Sequence, residues 1–210
     1  NVILSHNHSD HLDADSLRRL PDGTRIYVPL GLKALMNDLG KQDVVEMDWW
    51  QSMSCGEGCR ISCLPAQPWS RRIGQGMNTT LWASFLLHSA GRTIYYGGDS
   101  GYFIGYREIG RHYPGIDYAL LPVTAFDPRW FTHYAHMDAR EAIEAFRDLG
   151  ARYLIPTQWG TFRLGDEPIG RAPLELSRVM DAAQGDPSRL IVMGIGQLLP
   201  LGMQEHRVQK

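Results

Sequence analysis

The alternation of apolar and polar residues along the chain opens on a short β-branched run. Asn1-Val2-Ile3-Leu4 reads as a buried strand that ends at Ser5. Asp13 or Asp15 caps a short helix over Ser16–Leu20, and Pro21-Asp22-Gly23 stops it. Arg25–Val28 is the next strand. Beyond Pro29, Leu32, Leu35, Met36 and Leu39 recur at helical spacing, and Gly40 supplies a left-handed stop. Val44–Met47 is another short strand. Strand–helix–strand traffic of this kind implies parallel strands with helices on a face, an α/β arrangement.

Asp48–Gly58 is turn-rich. Cys59–Leu64 and Thr80–Leu87 then read as strands, joined by a loop that holds Pro65, Gln67, Pro68, Trp69, Arg71 and Arg72. Thr93–Tyr96 is a strand ending in Gly97-Gly98-Asp99-Ser100-Gly101, whose glycines permit a tight turn that aims the carboxylate of Asp99 outward. A weaker helix covers Tyr102–Arg111, closed by Pro114-Gly115, and Tyr118–Pro122 is a strand. The clearest helix starts at Asp138, where Glu141 completes a capping box; it buries Ala139, Ala142, Ile143, Phe146 and Leu149 and ends at Gly150. Strand Arg152–Pro156 follows. A final helix uses Leu176, Val179, Met180 and Ala183, and two short strands, Leu190–Met193 and Gln197–Leu199, precede a polar tail. Ser5–His11, Gln67–Trp69, Gly97–Asp99, Thr124–Asp127 and Thr157–Gln158 all fall at strand ends, where open α/β sheets bind ligands, so they are expected to converge.

Composition narrows the class. A chain of 210 residues that is 43% hydrophobic suits a single domain over 1–210 with a substantial core. A net charge of -2, from 21 basic and 23 acidic residues spread along the chain, offers no face for nucleic acid. No apolar run is long enough to span a membrane, and the amino end lacks the pattern of a signal peptide. The cysteines, Cys55, Cys59 and Cys63, are odd in number and read as free thiols of a reducing, cytoplasmic compartment.

The chemistry concentrates in His6-Asn7-His8-Ser9-Asp10-His11. Neutral imidazole and carboxylate are ligand types for zinc and its first-row neighbours. His6 and His8 alternate, so an extended backbone points both the same way, while Asp10 and His11 follow a turn and can face a second ion. Asp99 alone would be a turn residue; beside this loop it is a further ligand candidate. Arg71 and Arg72 suit an anionic substrate or a solvated loop equally well.

The stretches SHNHSDHLD (5–13), VPLGL (28–32), DWW (48–50), PAQPW (65–69), GGDSGY (97–102), DPRWF (127–131) and QWGTF (158–162) give the chain a resemblance to a known family. It resembles the metallo-β-lactamase fold, most closely the N-acylphosphatidylethanolamine phospholipase D branch. The resemblance implies an αββα sandwich with two metals, usually zinc, at one edge. His6 and His8 would hold the first metal, Asp10 and His11 the second, and Asp99 would bridge them. His136 matches a family His near the substrate phosphate, so Asp10 and His136 are the catalytic candidates. The chain departs from the branch at Pro68 and Gln158, where the branch has the His that completes each metal. Proline has no donor, and Gln158 stays in the ligand set only through a weak amide oxygen.

The family also has strands before this motif, so the chain reads as truncated, its first strands missing. A second copy or another segment is expected to cover the open sheet edge. The expected activity is hydrolysis of a phosphodiester, in a phospholipid or a small molecule. The alternatives are a degenerate scaffold that binds a ligand or partner, and a hydrolase of another ester or lactone. Trp49, Trp50, Trp69, Trp130, Phe131 and Tyr134 are either core residues or the lining of an acyl groove in peripheral contact with a membrane.

Overall fold

In β1 (Val2–Ile3) and β2 (Ile26–Pro29), successive side chains go to opposite faces, as extended backbone requires. Ile26 and Val28 pack with Leu17 of α1 (Ala14–Arg19) and Met36 of α2 (Lys33–Asp38), whereas Tyr27 points the other way. All of β2 is buried, which is why it reads as an unbroken apolar run. β3 (Val44–Met47) completes a three-stranded sheet in the order β1-β2-β3, parallel throughout, as the strand–helix–strand pattern implies. β1 is an edge of that sheet. The computed structural model describes residues 1–74 and 76–201; the expected polar tail lies outside them from residue 202 on.

A second sheet holds β4 (Ser52–Gly56), β5 (Cys59–Leu64), β6 (Ser84–Ser89), β7 (Arg92–Tyr96), β8 (Tyr118–Pro122) and β9 (Tyr153–Thr157), in sequence order. β4 to β7 run antiparallel, and β7, β8 and β9 are parallel. The parallel pairs need crossovers, supplied by α3 (Gly105–His112) and by α4 (Arg129–Thr132) with α5 (Ala139–Asp148). α6 (Arg171–Ala182) packs beside α5.

Period-two sorting sets the layers here too. Phe85 and Tyr96 face the small sheet, packing with Tyr27 and Met47, while Leu86 and Tyr95 face Ile109, Phe146 and Leu176 of the helices. Helices on a sheet, that sheet on a second sheet, and helices on its far face make an αββα sandwich. The expected α/β class holds, with the sheet-to-sheet core between the expected layers.

Several expected elements differ. β4 forms within the stretch read as turns, because Met53 and Cys55 alternate inward in a run otherwise polar. The strand expected from Thr80 begins at Ser84. Neither carboxyl-terminal strand forms: Leu190 makes a single bridge to Leu154, and Gln197–Leu199 has no partner strand among the described residues. The free-thiol reading of all the cysteines is corrected as well. The register of the β4–β5 hairpin shifts between Ser54 and Gly56, which brings Cys55 within 5.1 Å of Cys59 at Cα, and they form a disulfide, whereas Cys63 stays a buried free thiol that burial pushes up to about 12. No helix among the described residues is long and apolar enough to cross a membrane.

Candidate metal centre

β1 delivers the histidine loop into the seam between the sheets. Leu4 N donates to Tyr27 O of one sheet, and Ser5 O accepts from Ala83 N beside the other, which fixes the chain as it leaves the strand. Leu12, fully buried, anchors the far end of the loop in the small-sheet core, and Asp13 caps α1 through Ser16 N at 2.8 Å. Between these anchors, His11 N and Leu12 N both donate to His8 O, closing the turn that brings His11 back towards His6. The rings of His8 and His11 each lie 4.4 Å from that of His6.

Asp99 reaches the same point from the end of β7. Gly98 makes this approach feasible: at φ 60 it lies against Ser5, and a Cβ would come within 2.6 Å of Ser5 Cβ. The Asp99 carboxylate, 5% exposed, puts Oδ2 3.4 Å from His6 Nε2 and 4.0 Å from His8 Nδ1, and Oδ1 3.1 Å from His11 Nε2. His6 Nε2 and His8 Nδ1 are 2.9 Å apart, so His6, His8 and Asp99 present donor atoms all within 4.8 Å of one another. Ser5 Oγ lies 2.9 Å from His6 Nδ1, a hydrogen bond that orients the ring and leaves Nε2 towards the carboxylate. Asp10 Oδ2 stands 3.5 Å from His11 Nε2.

The electrostatics follow from this crowding. Burial disfavours the Asp99 charge, but His11 and His6 beside it hold its carboxyl well below the usual range. Burial and the neighbouring His6 bring His8 down to about 4. Burial also opposes charge on His11, yet Asp99 and Asp10 win and raise it. His136 is lowered, by burial first, and responds to Asp99, His11, His6 and Asp10. A buried carboxylate with neutral imidazoles suits a transition ion. His136 Nδ1 is, moreover, a buried polar atom with no hydrogen-bond partner among the described residues.

The other expected strand ends arrive around this cluster, with one exception. Gln67 knits the loop after β5 to that after β7: its N–H donates to Ser100 Oγ, its carbonyl accepts from Gly101 N, and its Nε2 donates to Tyr102 O and Tyr134 O. Pro68 is buried beside it and brings no donor atom. Gln158, at φ 66 after β9, donates from Nε2 to Gly98 O at 3.0 Å. Thr124 joins Asp10, His11, Tyr96 and Gln158 around a cavity of about 250 Å³. Asp127 does not join them: it lies 3.7 Å from Arg171 and lines a separate cleft with Arg129. Glu167 is the reason, because its buried carboxylate accepts from Ala125 N and Asp127 N and turns that loop away from the histidines.

A larger cavity, about 660 Å³, opens on His8 and is walled by Ser9, Trp69, Arg71, Arg72 and Ile73. Arg72 is committed to structure, donating to Asn7 O at 3.2 Å and Leu12 O at 2.8 Å, while Arg71 is exposed on the wall. The aromatic residues divide. Trp49 packs into the inter-sheet core, Trp69 borders the cavity, and Trp130, Phe131 and Tyr134 are 80%, 61% and 52% exposed. Tyr96 and Glu167 escaped sequence reading, and nothing local marks either. Ser5 enters that reading only as the first residue of the histidine motif, without a role of its own.

Residues 1–159 match the Beta-lactamase superfamily domain, and the chain belongs to that superfamily. It is 38% identical over 203 residues to an uncharacterized protein of Mycobacterium tuberculosis, covering 93% of this chain and 53% of the relative. It is 33% identical over 196 residues to the N-acyl-phosphatidylethanolamine-hydrolyzing phospholipase D 1 of Caenorhabditis elegans, covering 87% and 55%. The chain thus spans about half the length of these curated relatives. Among solved structures, a metallo hydrolase from the archaeon Ignicoccus hospitalis superposes with a TM-score of 0.67 at 22% identity, over 92% of this chain and 76% of that one, a likeness of fold.

Proposed function

We propose that this chain is a zinc-dependent hydrolase of phosphodiesters, with a phospholipid or a smaller diester as substrate. The observation that carries the reading is the donor triangle of His6, His8 and Asp99, whose His8 lines a cavity bordered by Trp69 and Arg71. Two imidazoles and a carboxylate with one position left open is a ligand pattern of catalytic zinc. Bound there, zinc would supply Lewis acidity and a nucleophile drawn from water near neutral pH.

The chain's own residues do the rest. Asp10, partly exposed beside His11, accepts or returns a proton at its Oδ2. His136, held neutral, offers a ring N–H to a phosphate oxygen or to the leaving group. Arg71 meets the negative charge of a diester, and Trp69 gives its neighbouring group an apolar surface. Support for the phosphodiester comes from the relative's name and from this basic wall. A second reading, a scaffold that binds without turnover, draws on Pro68 and Gln158, which bring no imidazole. The test is turnover of bis-p-nitrophenyl phosphate with a lactone alongside, in the zinc-loaded protein and in His8→Ala. Diester cleavage lost in His8→Ala supports the proposal. Cleavage of the lactone alone moves the substrate class, and no turnover with zinc bound favours the scaffold.

A further inference from the structure

We infer that the centre takes a single ion, on His6, His8 and Asp99, and that Gln158 braces this ligand set instead of joining it. The inference rests on the metal reading proposed above and deepens it. Among the described residues, one group of metal-ligating side chains has its donor atoms within 4.8 Å of one another, and these are its members. Their support is built in layers. Ser5 Oγ fixes His6 Nδ1 at 2.9 Å, Gly98 closes on Ser5, and Gln158 Nε2 donates to Gly98 O at 3.0 Å. Gln158 therefore holds the backbone next to Asp99 in place, at one remove from the ligands.

The other side lacks a comparable set. Asp10 is 36% exposed at its side chain, and His11 Nε2 is shared between Asp99 Oδ1 at 3.1 Å and Asp10 Oδ2 at 3.5 Å. Gln158 could add only its amide oxygen, a donor suited to magnesium or calcium and not to an imidazole-rich site. Turning that oxygen inward would break the bond to Gly98 O, and the backbone at φ 66 leaves little room to compensate. Pro68 contributes no atom at all. Asp10 and His11 then remain available to substrate along the cavity they share with Tyr96 and Thr124.

Metal counting tests this without reference to turnover. The full chain, purified in zinc chloride and dialysed against metal-free buffer, is expected to keep one equivalent by elemental analysis. Asp10→Asn and His11→Gln should also keep one, and His8→Ala none, with far-UV circular dichroism showing each variant folded. Gln158→Ala should keep one, but bind it about tenfold more weakly in a chelator competition, as for other residues that orient ligands from outside. Gln158→His, which adds an imidazole, should raise the count towards two. Two equivalents in the parent would overturn the single-ion inference and leave the metal reading intact. So would loss of the ion in Asp10→Asn or His11→Gln. Loss of the ion in Gln158→Ala would make Gln158 a ligand, unchanged affinity would end its bracing role, and a count still at one in Gln158→His would mean that Gln158 is not what limits the count. No zinc in the parent would overturn the metal reading itself.

Discussion

The two sides of the centre share Asp99 but are built differently. On the His6 side, His6 and Asp99 are each fixed from outside the ligand set, and His8 leans on His6 at 2.9 Å. His6 is fully buried with Ser5 at its far nitrogen, Asp99 is held by the Gly98–Ser5 contact, and the strands behind belong to both sheets. On the Asp10 side the residues come from a turn and from a loop after β9, open to a cavity and partly to water. The contrast separates binding from proton handling. A ligand set profits from rigid burial, whereas a proton-transferring carboxylate needs access to solvent and substrate.

The largest effect should come from asking each side for its part in turnover. Asp99→Asn, of the same shape without the charge, is expected to lose zinc and reduce diester hydrolysis to background. Asp10→Asn should keep zinc and lose roughly a hundredfold in kcat, within the usual range for one general acid–base group. Equal losses of metal and rate in both would erase the distinction between the sides.

Next in size is a steric comparison. Gly98→Ala forces a Cβ against Ser5 at a left-handed backbone, and should cost about 3 kcal/mol from overpacking and strain together. Gly160→Ala, at φ 86 with open space around its Cβ, meets strain alone and should cost about 1 kcal/mol. Thermal unfolding reads both. Roughly 10 °C against 3 °C is expected for a chain of this size, and similar values would mean that the Gly98–Ser5 contact yields easily.

Acid titration of the metal-free protein gives a smaller separation. Folded His8 resists protonation down to about 4, whereas the unfolded imidazole takes its proton near 6.5. Between those values the unfolded chain binds more protons, so stability falls as pH falls, by an amount on the order of 3 kcal/mol. His11 is raised instead, so its contribution is present below 6.5 and fades as pH climbs through its folded value. Urea unfolding across pH should show His8→Ala flattening the acid limb and His11→Ala the limb above 6.5. The reverse assignment would place the buried, uncharged imidazole on the wrong side.

Much of this was legible in the residues. Period-two runs gave β3, β5 and β8 with their bounds, and the Asp138–Glu141 capping box gave the start of α5, because these signals are local. The histidine loop and Asp99 announced themselves by residue type and by their position after strands. What stayed hidden depends on pairing across the chain. Cys55 and Cys59 become partners only once β4 and β5 form a hairpin, and Asp127 leaves the site because Glu167, forty residues on, claims its backbone. The two carboxyl-terminal strands failed for the same reason in reverse. Their alternation was adequate, but the sheet offered Leu190 only one bridge beside β9.

The finest distinction concerns neighbouring arginines that sequence alone cannot separate. Arg72 is spent on Asn7 O and Leu12 O, tying the cavity wall to the histidine loop on the rigid side. Arg71 points its charge to the cavity from an exposed position. Arg71→Ala should therefore raise KM for an anionic diester about tenfold, the size of one charge-assisted contact, and leave kcat and a neutral lactone unchanged. Arg72→Ala should lower stability by about 1–2 kcal/mol, since it removes the cation that donates to both Asn7 O and Leu12 O, and affect both substrates alike. Steady-state kinetics on the pair, read beside their unfolding curves, distinguishes the roles. A KM effect confined to Arg72→Ala would mean that the wall is set by the brace and that the exposed charge takes no part in recognition.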